Sequence, residues 1–145
     1  MQATTIHTTT TTARNRSRAL NIALWALQAL LAAAYLAHGW LMVSPPAELL
    51  AIMNEQLGEG FRLFIGVAEL LAAAGLILPG VTRILPKLTA LAAAGLMIVM
   101  SSATVLHVFR GENGSAVSAA VLFVLVTFVA YARWKVQPIA ARKRA

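Results

Sequence analysis

Residues 20–43 read LNIALWALQALLAAAYLAHGWLMV, from Leu20 to Val43, and this stretch decides the fold. A helix needs about 20 residues to cross ~30 Å of hydrocarbon. The run is also longer than the apolar core of a signal peptide, about 7–15 residues. It therefore reads as a membrane span, with signal cleavage within Ala32–Ala34 as the lesser alternative. Three more runs follow at Phe61–Leu78, Ile84–Phe109 and Ser115–Trp134. Pro79-Gly80 is expected to end the second, and Gly111–Gly114 to separate the third from the fourth. Each span should be helical, because lipid offers the backbone no hydrogen-bond partner.

Composition agrees with lipid as the main solvent. The 145 residues are 59% hydrophobic and 12% charged, against about 25% charged in an average soluble domain. The mean hydropathy is +0.75. These values exclude a disordered protein, a nucleic-acid binder with a soluble core and most soluble enzymes. Cysteine is absent, which excludes disulfides, thiol redox chemistry, iron–sulfur clusters and Cys-ligated zinc in this chain. The acids are Glu48, Glu55, Glu59, Glu69 and Glu112, with no aspartate.

Residues 1–18 are polar and Thr-rich, and read as a disordered cytoplasmic tail. Residues 19–135 form the expected four-helix transmembrane domain, and residues 136–145 a basic cytoplasmic tail. Ten of the twelve Lys and Arg residues fall on one side of a four-span topology, with Arg62 and Arg110 on the other. The positive-inside rule then places both termini in the cytoplasm. The same bias accounts for the net charge of +7 without nucleic acid. Between the first two spans, Leu49, Ile52, Met53 and Leu57 recur at helical spacing behind Pro45-Pro46. That pattern predicts a short amphipathic helix on the membrane surface, with an anchored loop as the alternative. The fold class is thus an all-α membrane protein, a four-transmembrane-helix bundle with an interfacial helix between spans one and two.

Leu-Ala-Ala-Ala-Gly-Leu occurs at 71–76 and again at 91–96. Small residues let membrane helices approach closely, so Gly66, Ala73, Gly75, Ala92 and Gly95 are expected contact positions.

The polar residues inside the spans carry the chemistry. Glu69 lies about 12 Å below the outer end of its span at 1.5 Å per residue. A carboxylate there must be paired, hydrated or protonated. It reads as a proton donor or acceptor or a ligand contact, or else as a clamp between helices. His38 lies about 7 Å below the outer end of the first span. Side chains tilt toward a helix's N-terminus, so His38 leans inward while Glu69 leans outward, and the two are expected to meet. Arg62 is two turns from Glu69 on the same face, near the outer end, and anchoring at the interface is its alternative role. Ser101, Thr104 and His107 form a strip at three-residue spacing, whose hydroxyls could instead bond their own helix. Asn21, Gln28 and Tyr35 recur at sevenfold spacing and should face protein or a cavity rather than lipid. Trp25, Trp40 and Trp134 fit an aromatic belt. His38, Arg62, Glu69 and His107 are expected to converge on a pocket in the outer half, suited to a lipophilic ligand such as a quinone. No metal site is expected, because two histidines and one glutamate lack a ligand spacing.

The segment RLFIGVAELLAAAGLILP, from Arg62 to Pro79, resembles the signature of the DoxX / DoxX-like family of small bacterial membrane proteins. Arg62, Gly66, Glu69 and Gly75 carry the match, and the resemblance extends over about residues 20–134. It implies a four-helix bundle in the bacterial inner membrane. Some relatives are associated with quinone-linked sulfur oxidation or redox-stress complexes.

Three functions are then open. The first is a membrane subunit that binds a quinone or similar lipophile and supports a redox partner. In it Glu69 handles protons, His38 is its catalytic partner, and Arg62, His107, Tyr35 and Thr104 contact the ligand. The second is a cofactor-free membrane enzyme with Glu69 as general acid. The third is an assembly factor without catalysis. Partners to consider are the bilayer, the lipophile, the redox protein and a second copy of the chain, with nucleic acid not among them.

Overall fold

The computed structural model describes the backbone of residues 3–142 and the side chains of residues 16–142. Lys143 and Arg144 of the expected basic tail lie outside the described residues. Five α-helices follow in order: α1 Ala3–Val43, α2 Ala47–Leu57, α3 Glu59–Thr82, α4 Lys87–Phe109 and α5 Asn113–Tyr131. A π-helical turn over Ala132–Val136 continues α5. Four stretches are long and apolar enough to cross a membrane: Arg16–Val43, Glu59–Thr82, Lys87–Phe109 and Asn113–Val136. The short α2 lies between the first two and buries none of its residues. The all-helical four-span architecture is therefore as the apolar runs imply.

Helix boundaries differ in three places. α1 begins at Ala3, so the backbone of residues 3–18 is helical where a disordered tail is expected. Extending a helix that is already nucleated costs little, and the Ala- and Leu-rich span supplies the nucleus. α3 runs through Pro79 to Thr82 rather than stopping at Pro79-Gly80. So close to the helix end the proline removes one backbone bond, and Thr82 Oγ1 secures the last turn by donating to the Leu78 carbonyl at 2.7 Å. α4 starts at Lys87, behind Pro86, so Ile84 belongs to the connection. That connection turns sharply, with Arg83 at φ 58° and Leu85 at φ 50°.

The helices alternate in direction. α1 packs on α3, α3 on α4 and α4 on α5, with α1 and α5 in lesser contact. The seam includes Leu31, Tyr35, Leu76, Leu96 and Val126, all at most 3% exposed. Outward-facing residues are mostly large and apolar, for example Leu30, Phe64, Leu71 and Ile98, as lipid contact requires. Of the expected small contact positions, Gly75 fits: a Cβ there would lie 2.7 Å from the Ala92 Cβ. Gly95 does not, because a Cβ there would meet nothing within 4 Å. The repeated hexapeptide thus packs tightly in α3 and turns its glycine outward in α4.

The bundle has two chemically distinct ends. One carries Arg16, Arg18, Arg83, Lys87, Arg133, Lys135 and Arg142, and is called the basic end below. The other carries α2 and the α4–α5 connection, and is called the far end. After Val136 the chain crosses the basic end. Gln137 Nε2 donates to Ser17 Oγ at 2.7 Å, and the Arg142 N–H donates to the Arg83 carbonyl at 3.1 Å.

Candidate functional site

α1 and α3 come closest where Gly39 faces Gly66. A Cβ added to Gly39 would stand 2.9 Å from the Gly66 carbonyl oxygen and 3.2 Å from the Glu69 Cβ. Neither position has room for a side chain, so the backbones touch there. That approach brings His38 and Glu69 together, with His38 Nδ1 2.6 Å from Glu69 Oε2. The Glu69 side chain is 1% exposed and that of His38 is 50% exposed. The pair therefore has a sealed end and an open end. The bond occupies one ring nitrogen of His38, and the second remains for another group.

Tyr35 stands one turn before His38 on α1 and is 2% exposed. Its hydroxyl is buried and has no hydrogen-bond partner among the described residues. It is an uncommitted donor one helical turn from the pair.

The remaining expected site residues lie elsewhere. Arg62 is 3% exposed and does not bond Glu69. Its Nε donates to Asn54 Oδ1 of α2 at 2.8 Å, and its Nη1 donates to the Met42 carbonyl at the end of α1. Arg62 thus ties the interfacial helix to both spans beside it, and it is buried rather than extended to the interface. His107 pairs with Glu112 in the α4–α5 connection, Nδ1 to Oε2 at 2.5 Å, with both side chains partly exposed. The His107 imidazole is thus bonded to a carboxylate five residues further along and not to Glu69. Thr104 Oγ1 donates to the Met100 carbonyl at 2.8 Å, and Ser101 Oγ to the Ile98 carbonyl at 3.0 Å. The strip on α4 is satisfied by its own helix, a common use of intramembrane hydroxyls. Among the described residues no three His, Asp or Glu side chains gather as a metal site.

A second polar cluster lies at the basic end, where the sequence turns Asn21 and Gln28 toward protein but does not name Arg133 as their partner. Gln28, fully buried, donates from Nε2 to the Leu76 carbonyl at 2.6 Å and accepts from Arg133 Nε at 2.5 Å. Arg133 Nη1 donates to Asn21 Oδ1 at 2.8 Å. Its guanidinium lies 5.2 Å from the centre of the Trp25 ring. Trp25 is half-buried against Arg133, whereas Trp40 and Trp134 are 64% and 55% exposed. Asn21 and Gln28 of the polar stripe on α1 point here, whereas Tyr35 of the same stripe lies a turn from His38. Arg133 continues the buried face of α5, four residues after Val129 and seven after Val126, but that periodicity does not name its partners on α1.

No curated protein and no solved structure matches the chain significantly. The sequence profile of the DoxX-like family matches residues 26–130, which take in the greater part of the four spans and all of the His38–Glu69 site. With that match and a four-span helical fold, the chain belongs to the DoxX-like family.

Proposed function

We propose that the protein is a membrane subunit that binds a quinone or similar lipophile at the His38–Glu69 pair and supports a redox partner. The observation that carries this reading is the asymmetry of the pair, a buried carboxylate joined at 2.6 Å to a histidine open on its other side.

The donor set fits a quinone. A quinone presents two carbonyl oxygens on a flat apolar ring, and accepts two electrons and two protons on becoming a quinol. His38 presents its second ring nitrogen on its exposed side, the buried Tyr35 hydroxyl is a donor, and the surrounding core side chains are largely apolar. Glu69 holds the His38 ring in place and stores a proton that the ring can pass on. The electrons come from the partner protein. By the positive-inside rule the basic end faces the cytoplasm, and the site lies in the opposite half of a bacterial inner membrane.

A cofactor-free enzyme with Glu69 as general acid uses the same two residues, and an assembly factor uses them only as a clamp. The test is purification in mild detergent, organic extraction and a UV–visible spectrum, for the native chain and Glu69→Gln. Glutamine keeps the size and hydrogen bonding of Glu69 but cannot titrate. A stoichiometric quinone band that disappears in Glu69→Gln is the expected result. An empty extract, with no saturable binding of added ubiquinone, refutes the quinone reading. Normal function of Glu69→Gln in cells would leave only the clamp.

A further inference from the structure

Arg133 lies three residues before the end of the fourth span and is 4% exposed. All its partners are neutral. Nε donates to Gln28 Oε1 at 2.5 Å, and Nη1 donates to Asn21 Oδ1 at 2.8 Å and to the Gln137 carbonyl at 3.3 Å. Nη2 is buried and has no hydrogen-bond partner among the described residues. The Oγ1 of Thr89 is buried without one as well, on the end of α4 that packs against the π-turn.

The charge is as unbalanced as the hydrogen bonding. Glu48 and Glu55 lie on α2, Glu59 begins α3, Glu112 precedes α5, and Glu69 is taken by His38. Every carboxylate side chain of the chain is thus in the far half, and no described carboxylate faces Arg133. Neutral amides satisfy the N–H groups of a guanidinium but not its charge, and an uncompensated buried cation is strongly unfavourable. Arg83, Lys135 and Arg142 are exposed on the same end and add positive potential. Arg133 lies about 5 Å inside the end of its span, near the depth of a phospholipid's phosphate.

We propose that the Arg133 cluster is a binding site for a phosphate oxyanion at headgroup depth, supplied by an anionic phospholipid of the leaflet at the basic end. The fork of Nη1 and Nη2 matches two oxygens of a phosphodiester. Asn21, Gln28 and Trp25 hold the guanidinium in position from one side. The cover on the other side is the chain after Val136. It is fixed by hydrogen bonds from Gln137 to Ser17 and from Arg142 to Arg83, and by Ile139 against Gly80. The Gln137 carbonyl makes the longest of the Arg133 bonds and is the contact that an oxyanion displaces. The inference is independent of the His38–Glu69 reading.

The test is thermal unfolding of the delipidated full-length chain in a non-ionic detergent, titrated with phosphatidylglycerol, with phosphatidylcholine of the same acyl chains, or with inorganic phosphate. Phosphatidylglycerol is expected to raise Tm saturably and phosphatidylcholine not to. Arg133→Lys keeps the charge but loses the fork, and should weaken the apparent affinity about tenfold. Arg133→Gln should abolish the effect, whereas Lys135→Gln should leave it within about twofold, as expected for an exposed charge. Should Arg133→Gln fail to fold, Gln137→Ala keeps the guanidinium and loosens the cover, and should strengthen phosphatidylglycerol binding. Saturation by inorganic phosphate without a phosphatidylglycerol effect assigns the soluble source. Equal responses to both lipids, or a phosphatidylglycerol effect undiminished in Arg133→Lys, overturn the proposal.

Discussion

Gly66→Ala adds one methyl group where α1 and α3 are closest, and the structure sets its size of effect. The new Cβ would lie 2.8 Å from the Met42 Cβ, 2.8 Å from the Val43 Cγ2 and 2.9 Å from the Gly39 carbonyl oxygen. None of these can swing away. One is a Cβ fixed to its backbone, one belongs to a stiff β-branched side chain, and one is backbone. Carbon atoms pack at about 3.5–4.0 Å, so the helices must part by about 0.7–1 Å. Overpacking of this kind costs about 1–3 kcal/mol. The parting also stretches the His38–Glu69 bond from 2.6 Å to about 3.3–3.6 Å, at or past the limit of a hydrogen bond. Leaving a buried carboxylate without its partner adds about 1–3 kcal/mol. The gain in helix preference from Gly to Ala is about 0.5–1 kcal/mol and does not offset the sum. SDS-titrated unfolding in mixed micelles measures the difference. Gly95→Ala is the control, because a Cβ at Gly95 meets nothing within 4 Å. If Gly66→Ala unfolds at the same midpoint as Gly95→Ala and its histidine NMR spectrum keeps the native Nδ1 signal, then close helix approach is not what holds the pair.

Arg62→Ala removes the ties to Asn54 and Met42, and is expected to cost about 1–3 kcal/mol and to make Glu55 a rapid cleavage site for a Glu-specific protease. Unchanged cleavage would mean that α2 is held by its apolar face alone. His107→Ala removes a partly exposed pair with Glu112 and is expected to cost under about 1 kcal/mol. Its ubiquinone affinity, measured by fluorescence quenching, should equal that of the native chain, and a large loss would return His107 to the ligand site. Gly80→Ala places a Cβ 2.7 Å from Trp25 Cη2 and 2.9 Å from Ile139 Cδ1. The segment after Val136 should lift, seen as faster carboxypeptidase digestion and altered tryptophan emission, and native-like digestion would contradict that packing.

The fold was legible because lipid enforces helices on any long apolar run, so counting residues to the hydrocarbon thickness suffices. The His38–Glu69 contact was legible for a similar reason: two helices of opposite direction, a known tilt and similar depths leave few alternatives. Arg62 was not, because depth and facing say nothing of Asn54 on an interfacial helix, or of a carbonyl freed at the end of α1. The partner of His107 was not legible either, because depth in the span does not single out Glu112. Arg133 was hidden among the basic residues that set the topology. At 100° per residue it falls on the same face as Val126 and Val129, yet a basic residue three positions from a span end reads first as a topology charge facing solvent. Its partner Gln28 is 105 residues away in sequence, which no local pattern can report.

The two polar clusters share α1, and their spacing determines how far they act separately. Gln28 and His38 are ten residues apart, so about 15 Å along the helix axis. At an effective dielectric of about 20, unit charges at that separation interact by about 1 kcal/mol. That is less than either cluster loses when one of its bonds is cut. The partners that each cluster needs must therefore be local. At the far end a histidine is the partner of Glu69. At the basic end no described carboxylate faces Arg133. A Glu69→Gln/Arg133→Gln double variant tests this separation. Its destabilisation should equal the sum of the single variants to within about 1 kcal/mol. A larger deviation would mean that the clusters form one network through the core of the bundle, and that proton handling at Glu69 responds to whatever neutralises Arg133.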